Sequence, residues 1–189
     1  MFKLKIISST IRPGRKGPII AAWIADMARE AGNFDVELLD LGEVKLPPMD
    51  EPNHPSLRKY EHEHTKKWSA TIGEADAFIF VTGEYDHGYP SPLRNALEYL
   101  FHEWGYKPAG LVSYGGISAG TRAVNYLKAD LASMRVVPLM EMVNIPLFTQ
   151  FIHDGKLVPN EAMEKSAATL MRELLRWTKG MKPIRENTV

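Results

Sequence analysis

The chain has 189 residues, with 23 basic and 23 acidic side chains, so formal charge cancels and no global field draws it to nucleic acid or an anionic membrane. Cysteine is absent, which excludes disulfides, thiolate metal sites and cysteine nucleophiles and fits a reducing, cytoplasmic setting. The length suits one domain spanning residues 1–189 with a substantial core, and no apolar run approaches membrane-spanning length.

Residues 4–8 read as a short strand, followed by a loop rich in Pro, Gly and Arg. Residues 18–31 then set Ile20, Trp23, Ile24, Met27, Ala28 and Ala31 on one helical stripe, with Gly32 as the stop signal. Residues 35–41 are strand-like, residues 46–55 form a proline-rich surface connection, and residues 61–75 read as a mostly polar helix touching the core through Trp68 and Ile72. Residues 77–82 are apolar on both faces and read as the most buried strand. A loop over 83–92 opens a helix over 93–101. Then come a strand (109–114), a helix (121–133), a strand (136–142) and a helix (161–179), with about 181–189 as a frayed tail. Five strands alternating with helices call for an α/β three-layer sandwich: a parallel sheet covered on both faces by right-handed crossovers. In the order 2-1-3-4-5, the loops after strands one, three and four open at one edge, where such sheets bind ligands.

The first of these loops, residues 9–18, gathers Arg12, Arg15 and Lys16 at a helix N-terminus, where free N–H groups and the helix dipole favour an anion. Thr10, Arg12 and Arg15 can add charge-assisted hydrogen bonds to phosphate oxygens. The alternative is that the cations are solvated and Pro13, Gly14 and Pro18 serve only the turn and the first helical position. The spacing is neither a P-loop nor G-x-G-x-x-G. The second loop mixes Gly83, Gly88, Pro90 and Pro92, which fix a bend, with Tyr85, His87 and Tyr89, which can lie against a planar ring. The third runs from Ser113 and Tyr114 through Gly115 and Gly116 to Gly120, and its paired glycines let backbone approach a ring closely. One ligand touching all three would set a phosphate on the first and a flat heterocycle between the other two.

Taken together, these loops resemble the NADPH-dependent FMN reductase family of flavodoxin-like flavoproteins, which includes quinone, azo-dye and chromate reductases. The likeness covers nearly the whole chain. Ser9-Thr10-Ile11-Arg12 is similar to the family's Gly-Ser-x-Arg. Thr82-Gly83-Glu84-Tyr85-Asp86-His87 is similar to Thr-Pro-Glu-Tyr-Asn followed by histidine or serine, and Arg94-Asn95-Ala96-Leu97 to Lys/Arg-Asn-Ala-hydrophobic. The resemblance implies a flavodoxin-like fold and bound FMN, with NADPH or NADH as electron donor and flavin, quinone or another small acceptor receiving the electrons. It also implies a homodimer or homotetramer with the flavin near the subunit boundary. It sets the phosphate with Thr10, Arg12, Arg15, Gly17, Pro18 and Ile19, and the ring with Gly83, Glu84, Tyr85, Asp86, His87, Ser113, Tyr114, Gly115 and Gly116. No catalytic acid or base is expected, because the flavin carries the electronic burden. Ser9 stands in place of glycine, Gly83 in place of proline and Asp86 in place of asparagine. A carboxylate at 86 aimed at the ring would disfavour an anionic reduced flavin.

The rival reading is a non-enzymatic electron carrier of the flavodoxin type. Such carriers are strongly acidic and this chain is neutral, which favours the enzyme. His54, His62 and His64 with Glu61 and Glu63 hint at a metal, but two histidines two apart on a helix face different ways, so a solvated face is expected. Met134, Met140 and Met142 are read as packing. Tyr89, Tyr99, Phe101 and Trp104 are many aromatics for a surface element and suggest a buried partner surface.

Overall fold

The structure, a computed structural model, describes residues 1–187. Five strands, β1 (Phe2–Ser8), β2 (Phe34–Asp40), β3 (Ala77–Gly83), β4 (Pro108–Tyr114) and β5 (Val137–Ile145), form one parallel sheet in the order β2-β1-β3-β4-β5. The helices are α1 (Gly17–Glu30), α2 (Leu41–Val44), α3 (Glu63–Gly73), α4 (Ser91–Glu98), α5 (Thr121–Ser133) and α6 (Glu161–Glu186). Between β5 and α6 lie a 3₁₀ turn (Phe148–Phe151) and a small antiparallel pair, β6 (Ile152–His153) and β7 (Lys156–Leu157).

Because successive strand residues face opposite sides, the register Ile6↔Ile79 and Ile7↔Phe80 divides the core into two layers. Leu4, Ile6, Ile79 and Val112 meet Ile20 and Ile24 of α1 and Leu170 and Leu174 of α6. Ile7, Phe78, Phe80 and Leu111 meet α3, α4 and α5 on the other side. β3 is buried along its whole length, as its two-faced apolar pattern predicts.

Two expectations are corrected here. Tyr99 and Trp104, read as partner-surface aromatics, are fully buried within the chain's own second layer. The helix ends at Glu98, so the residues after it turn inward, and Trp104 packs against Phe78 at a centroid distance of 5.1 Å. Burying such rings contributes on the order of 2–3 kcal/mol each, more than a surface role offers. The tail expected to fray from about 181 is helical to Glu186 despite Gly180 and Pro183. Met181 is buried, Lys182 lies over the Phe2 ring at 5.8 Å, and Arg185 pairs with Asp76 at 2.5 Å. Tertiary contacts thus outweigh the local breakers; the last two residues of the expected tail lie outside the described residues. Met140, read as packing, is 81% exposed.

His62 and His64 also differ from expectation. The helix begins at Glu63, so His62 sits on extended backbone and its ring stacks on His64 at 5.2 Å. Both rings hold the proline-rich connection through Asp50. Among the described residues no group of three or more His, Cys, Asp or Glu side chains is placed to hold a metal, and no helix is long and apolar enough to cross a membrane.

Lys107, just before β4, is buried, and its Nζ donates to the Ile72 and Gly73 carbonyls at 2.8 and 2.9 Å. Burial, with a smaller push from Arg185, lowers its pKa to about 7. Between that value and the ordinary 10.5 the unfolded chain binds the extra proton and the folded chain does not, so stability rises with pH across this window. The wild-type urea midpoint is therefore expected to climb from about pH 7 to about pH 10, and Lys107→Met to flatten the rise. A variant that keeps the full slope would assign it to other groups.

Candidate functional site

Three loops meet at the carboxyl edge of β1, β3 and β4. In the first, the Arg15 N–H donates to the Arg12 carbonyl at 3.0 Å, with Pro13 and Gly14 (φ +75°) at the two central positions, the signature of a type II turn. The chain then enters α1 at Lys16 with no side-chain cap and with proline in the first turn. Pro18 has no N–H and the Ile19 N–H donates to the Lys16 carbonyl at 3.1 Å, so the Gly17 N–H is the group of this first turn left open to an outside acceptor. Ser8, Ser9 and Thr10 at the base of the loop are buried, and the Oγ atoms of Ser8 and Ser9 have no hydrogen-bond partner among the described residues. Arg12 is exposed and its guanidinium lies 5.6 Å from the centroid of the Tyr85 ring, linking first loop to second. Arg15 faces sideways: it pairs with Asp40 at 2.6 Å, and that carboxylate also caps α2 through the Gly42 N–H.

The second loop is a hairpin-like turn. Tyr85 and Gly88 exchange backbone hydrogen bonds at 2.8 and 2.9 Å, and Asp86 and His87 between them have φ of +47° and +70°. Positive φ at both central residues is the type I′ pattern, which Asp tolerates better than most residues. Tyr85, Asp86 and His87 are exposed at its tip.

Glu84 turns away from that tip. Its side chain is only 6% exposed and accepts hydrogen bonds from Ser118 Oγ at 3.0 Å, Arg122 Nε at 2.7 Å and the Arg122 backbone N–H at 3.2 Å. α5 starts after Gly120 without a side-chain cap of its own, so Glu84 caps it from another loop. Burial pushes the Glu84 carboxyl up, but the hydrogen bonds from Arg122 and Ser118 and the Arg122 charge outweigh it and hold it below the usual carboxylate range.

Tyr114 ties all three loops together. It is 5% exposed and its hydroxyl lies 3.3 Å from Thr10 Oγ1. A Cβ on Gly17 would fall 2.4 Å from Thr10 Oγ1 and 2.8 Å from the Tyr114 hydroxyl, while one on Gly83 would press the Tyr114 ring at 3.2 Å. Glycine at 83, where the resemblance expects proline, thus leaves space for this tyrosine. Burial pushes the Tyr114 phenol up to about 12, so it stays neutral. In the third loop, the Ser113 hydroxyl is buried within 2.8 Å of the Ala119 carbonyl and of Asn144 Oδ1, and the Gly115 N–H donates to Ile145. Gly116 has open space where a Cβ would project. Pro18 and Ile19 form the first turn of α1 and are half-buried.

Of the residues read from sequence, Thr10, Gly17 and Gly83 each come into contact range of Tyr114, and Arg12 meets Tyr85. Glu84 and Ser113 instead brace the loops. Sequence reading missed Arg122, Ser118 and Asp40. The uncapped start of α5 at Gly120 was a signal that a carboxylate from elsewhere was needed.

A family model described as NADPH-dependent FMN reductase matches residues 2–150. An NAD(P)H-dependent FMN reductase of Schizosaccharomyces pombe is 43% identical over 148 residues, 76% of this chain and 74% of that protein. An NAD(P)H:quinone oxidoreductase of Solanum tuberosum is 30% identical over 111 residues, 53% of this chain and 55% of its own length. Among solved structures, the flavoenzyme NAD(P)H:(acceptor) oxidoreductase FerB of Paracoccus denitrificans superposes with a TM-score of 0.77 at 20% identity, covering 96% of this chain and 99% of that one.

Proposed function

The chain belongs to the NADPH-dependent FMN reductase family, and from that premise we propose that its three loops hold FMN as a hydride relay between NAD(P)H and flavin, a quinone or another small acceptor. Membership makes it an oxidoreductase with FMN and NAD(P)H as its cofactors. The observation that carries the site reading is the uncapped start of α1 beside buried, unpartnered hydroxyls and Arg12. That donor set suits a phosphate.

When bound, FMN supplies the ring that accepts hydride and passes electrons on. Thr10, Arg12 and the Gly17 N–H would hold its phosphate, with Pro18 and Ile19 shaping the first turn of α1 beside it. Arg15 braces the loop through its ion pair with Asp40. Tyr85, Asp86 and His87, on their preformed turn, would flank the ring, with Gly116 offering close backbone. Glu84, Ser113, Tyr114 and Gly115 fix the loops so that this geometry exists before the cofactor arrives, which lowers the entropy lost on binding.

Large apolar side chains rim the site: Ile117 is 90% exposed, with Ile11, Tyr85 and Leu147 also open. Such a rim suits cover by a second subunit, and a homodimer or homotetramer is part of this reading. The neutral charge argues against the electron-carrier alternative.

The test is anaerobic: protein and FMN are mixed, NADPH or NADH is added, and the visible flavin band is followed. Rapid bleaching is expected, and the faster donor reports coenzyme preference. Binding without bleaching would point to the carrier, and absence of FMN binding would remove the three-loop site. Arg12→Ala is expected to weaken FMN binding by about 1.5–3 kcal/mol, with an unchanged denaturant midpoint because Arg12 is exposed. Unaltered affinity would take the phosphate away from this loop.

A further inference from the structure

At the amino-terminal edge of the sheet, opposite the three loops, lies a cavity of about 890 Å³ bounded by the segment after β2, the end of α3, the connection before β4, the α5–β5 turn and α6. Three arginines, Arg58, Arg135 and Arg185, line it with Lys107 against one carboxylate, Glu103. Two of these groups carry a buried polar atom with no partner among the described residues. Arg185 pairs with Asp76 through Nη2 and leaves Nη1 without an acceptor; Glu103 Oε1 accepts from Ser69 Oγ at 2.7 Å and the Tyr60 hydroxyl at 3.0 Å, and leaves Oε2 without a donor. A donor lacking an acceptor and an acceptor lacking a donor, in one cavity, ask for a ligand that carries both.

Backbone strain collects at the same place. Tyr106 (φ +59°) and Arg135 (φ +62°) are both left-handed, costly for side chains of this bulk. They are joined by the Tyr106 N–H donating to the Arg135 carbonyl at 2.8 Å, and the Arg135 guanidinium lies over the Tyr106 ring at 5.6 Å. Both residues of the strained pair line the cavity.

We propose that this cavity is a second site, for a mononucleotide, with the phosphate among Arg58, Arg135 and Arg185 and a hydroxyl or amino group donating to Glu103 Oε2. The volume lies within the range of small-molecule sites.

Calorimetric titration of the FMN-saturated protein with AMP, adenosine and inorganic phosphate tests the proposal. AMP is expected to bind once per chain, and phosphate and adenosine each at least about tenfold more weakly. Arg135→Ala, an exposed position, and Glu103→Gln are each expected to weaken AMP about tenfold while leaving NAD(P)H-dependent FMN reduction unchanged. The proposal is overturned if AMP does not bind the FMN-loaded protein, so that water alone satisfies the two atoms. It is equally overturned if phosphate matches AMP, or if neither variant alters AMP binding, which would put the nucleotide on the coenzyme site.

Discussion

Replacing Gly120 by alanine is expected to destabilise the protein by about 2–5 kcal/mol and to abolish tight FMN binding. Gly120 has φ +78°, and a Cβ there would stand 2.9 Å from the Tyr114 carbonyl oxygen, 3.1 Å from the Tyr114 backbone nitrogen and 3.0 Å from Ser113 Cβ. Two of these neighbours are backbone atoms of a central strand, so nothing can swing aside. The third loop must shift, and with it the start of α5 that Glu84 caps. Denaturant midpoints and FMN titrations measure both losses. Gly116→Ala is the paired control, since its Cβ meets nothing within 4 Å. Its stability should stay within about 0.5 kcal/mol, and a selective loss of FMN affinity there would report close approach of the ring. A Gly120→Ala protein with wild-type midpoint and affinity would refute the coupling of this loop to the site.

The second large effect falls on Glu84. Glu84→Gln keeps the shape and removes the charge that holds Ser118, Arg122 and the first turn of α5. The expected cost is about 1.5–3 kcal/mol, toward the lower end because Arg122 is half exposed. FMN affinity should fall with it, because the second and third loops lose their bridge. The pH dependence identifies the cause. Glu84 titrates lower in the folded chain than in the unfolded one, so its contribution is present above the unfolded carboxylate value of about 4.3 and is lost as pH falls through the folded one. Wild type and Glu84→Gln should therefore differ at neutral pH and converge in acid. A constant offset down to about pH 3 would mean that packing, not charge, explains the loss.

Sequence periodicity made the architecture legible because burial imposes it. The two-faced run of β3 and the stripe of α1 have no stable arrangement other than inside a covered sheet and against one. The loops were legible for a related reason: glycine, proline and hydroxyl residues at strand ends constrain backbone whatever lies beyond them. Side-chain direction was another matter. Glu84 lies 38 positions from Arg122, and nothing local distinguishes a carboxylate aimed at a ligand from one turned sideways to cap a remote helix. Trp104 and Tyr99 misled because helix periodicity was extended past Glu98, where the chain bends inward. The same cause hid the stacked pair His62 and His64, since the inference about their faces assumed a helix that begins one residue after His62.

The position of Tyr114 has a consequence for how the protein opens. One side chain contacts residues delivered by β1, β3 and β4, so none of the three loops can detach without breaking its hold on the others. Loops that hang separately from a scaffold exchange their amide hydrogens through small local excursions. Here the amides around Ser9, Thr10 and Gly115 should exchange in concert with the central strands, at rates governed by global unfolding, even before any cofactor binds.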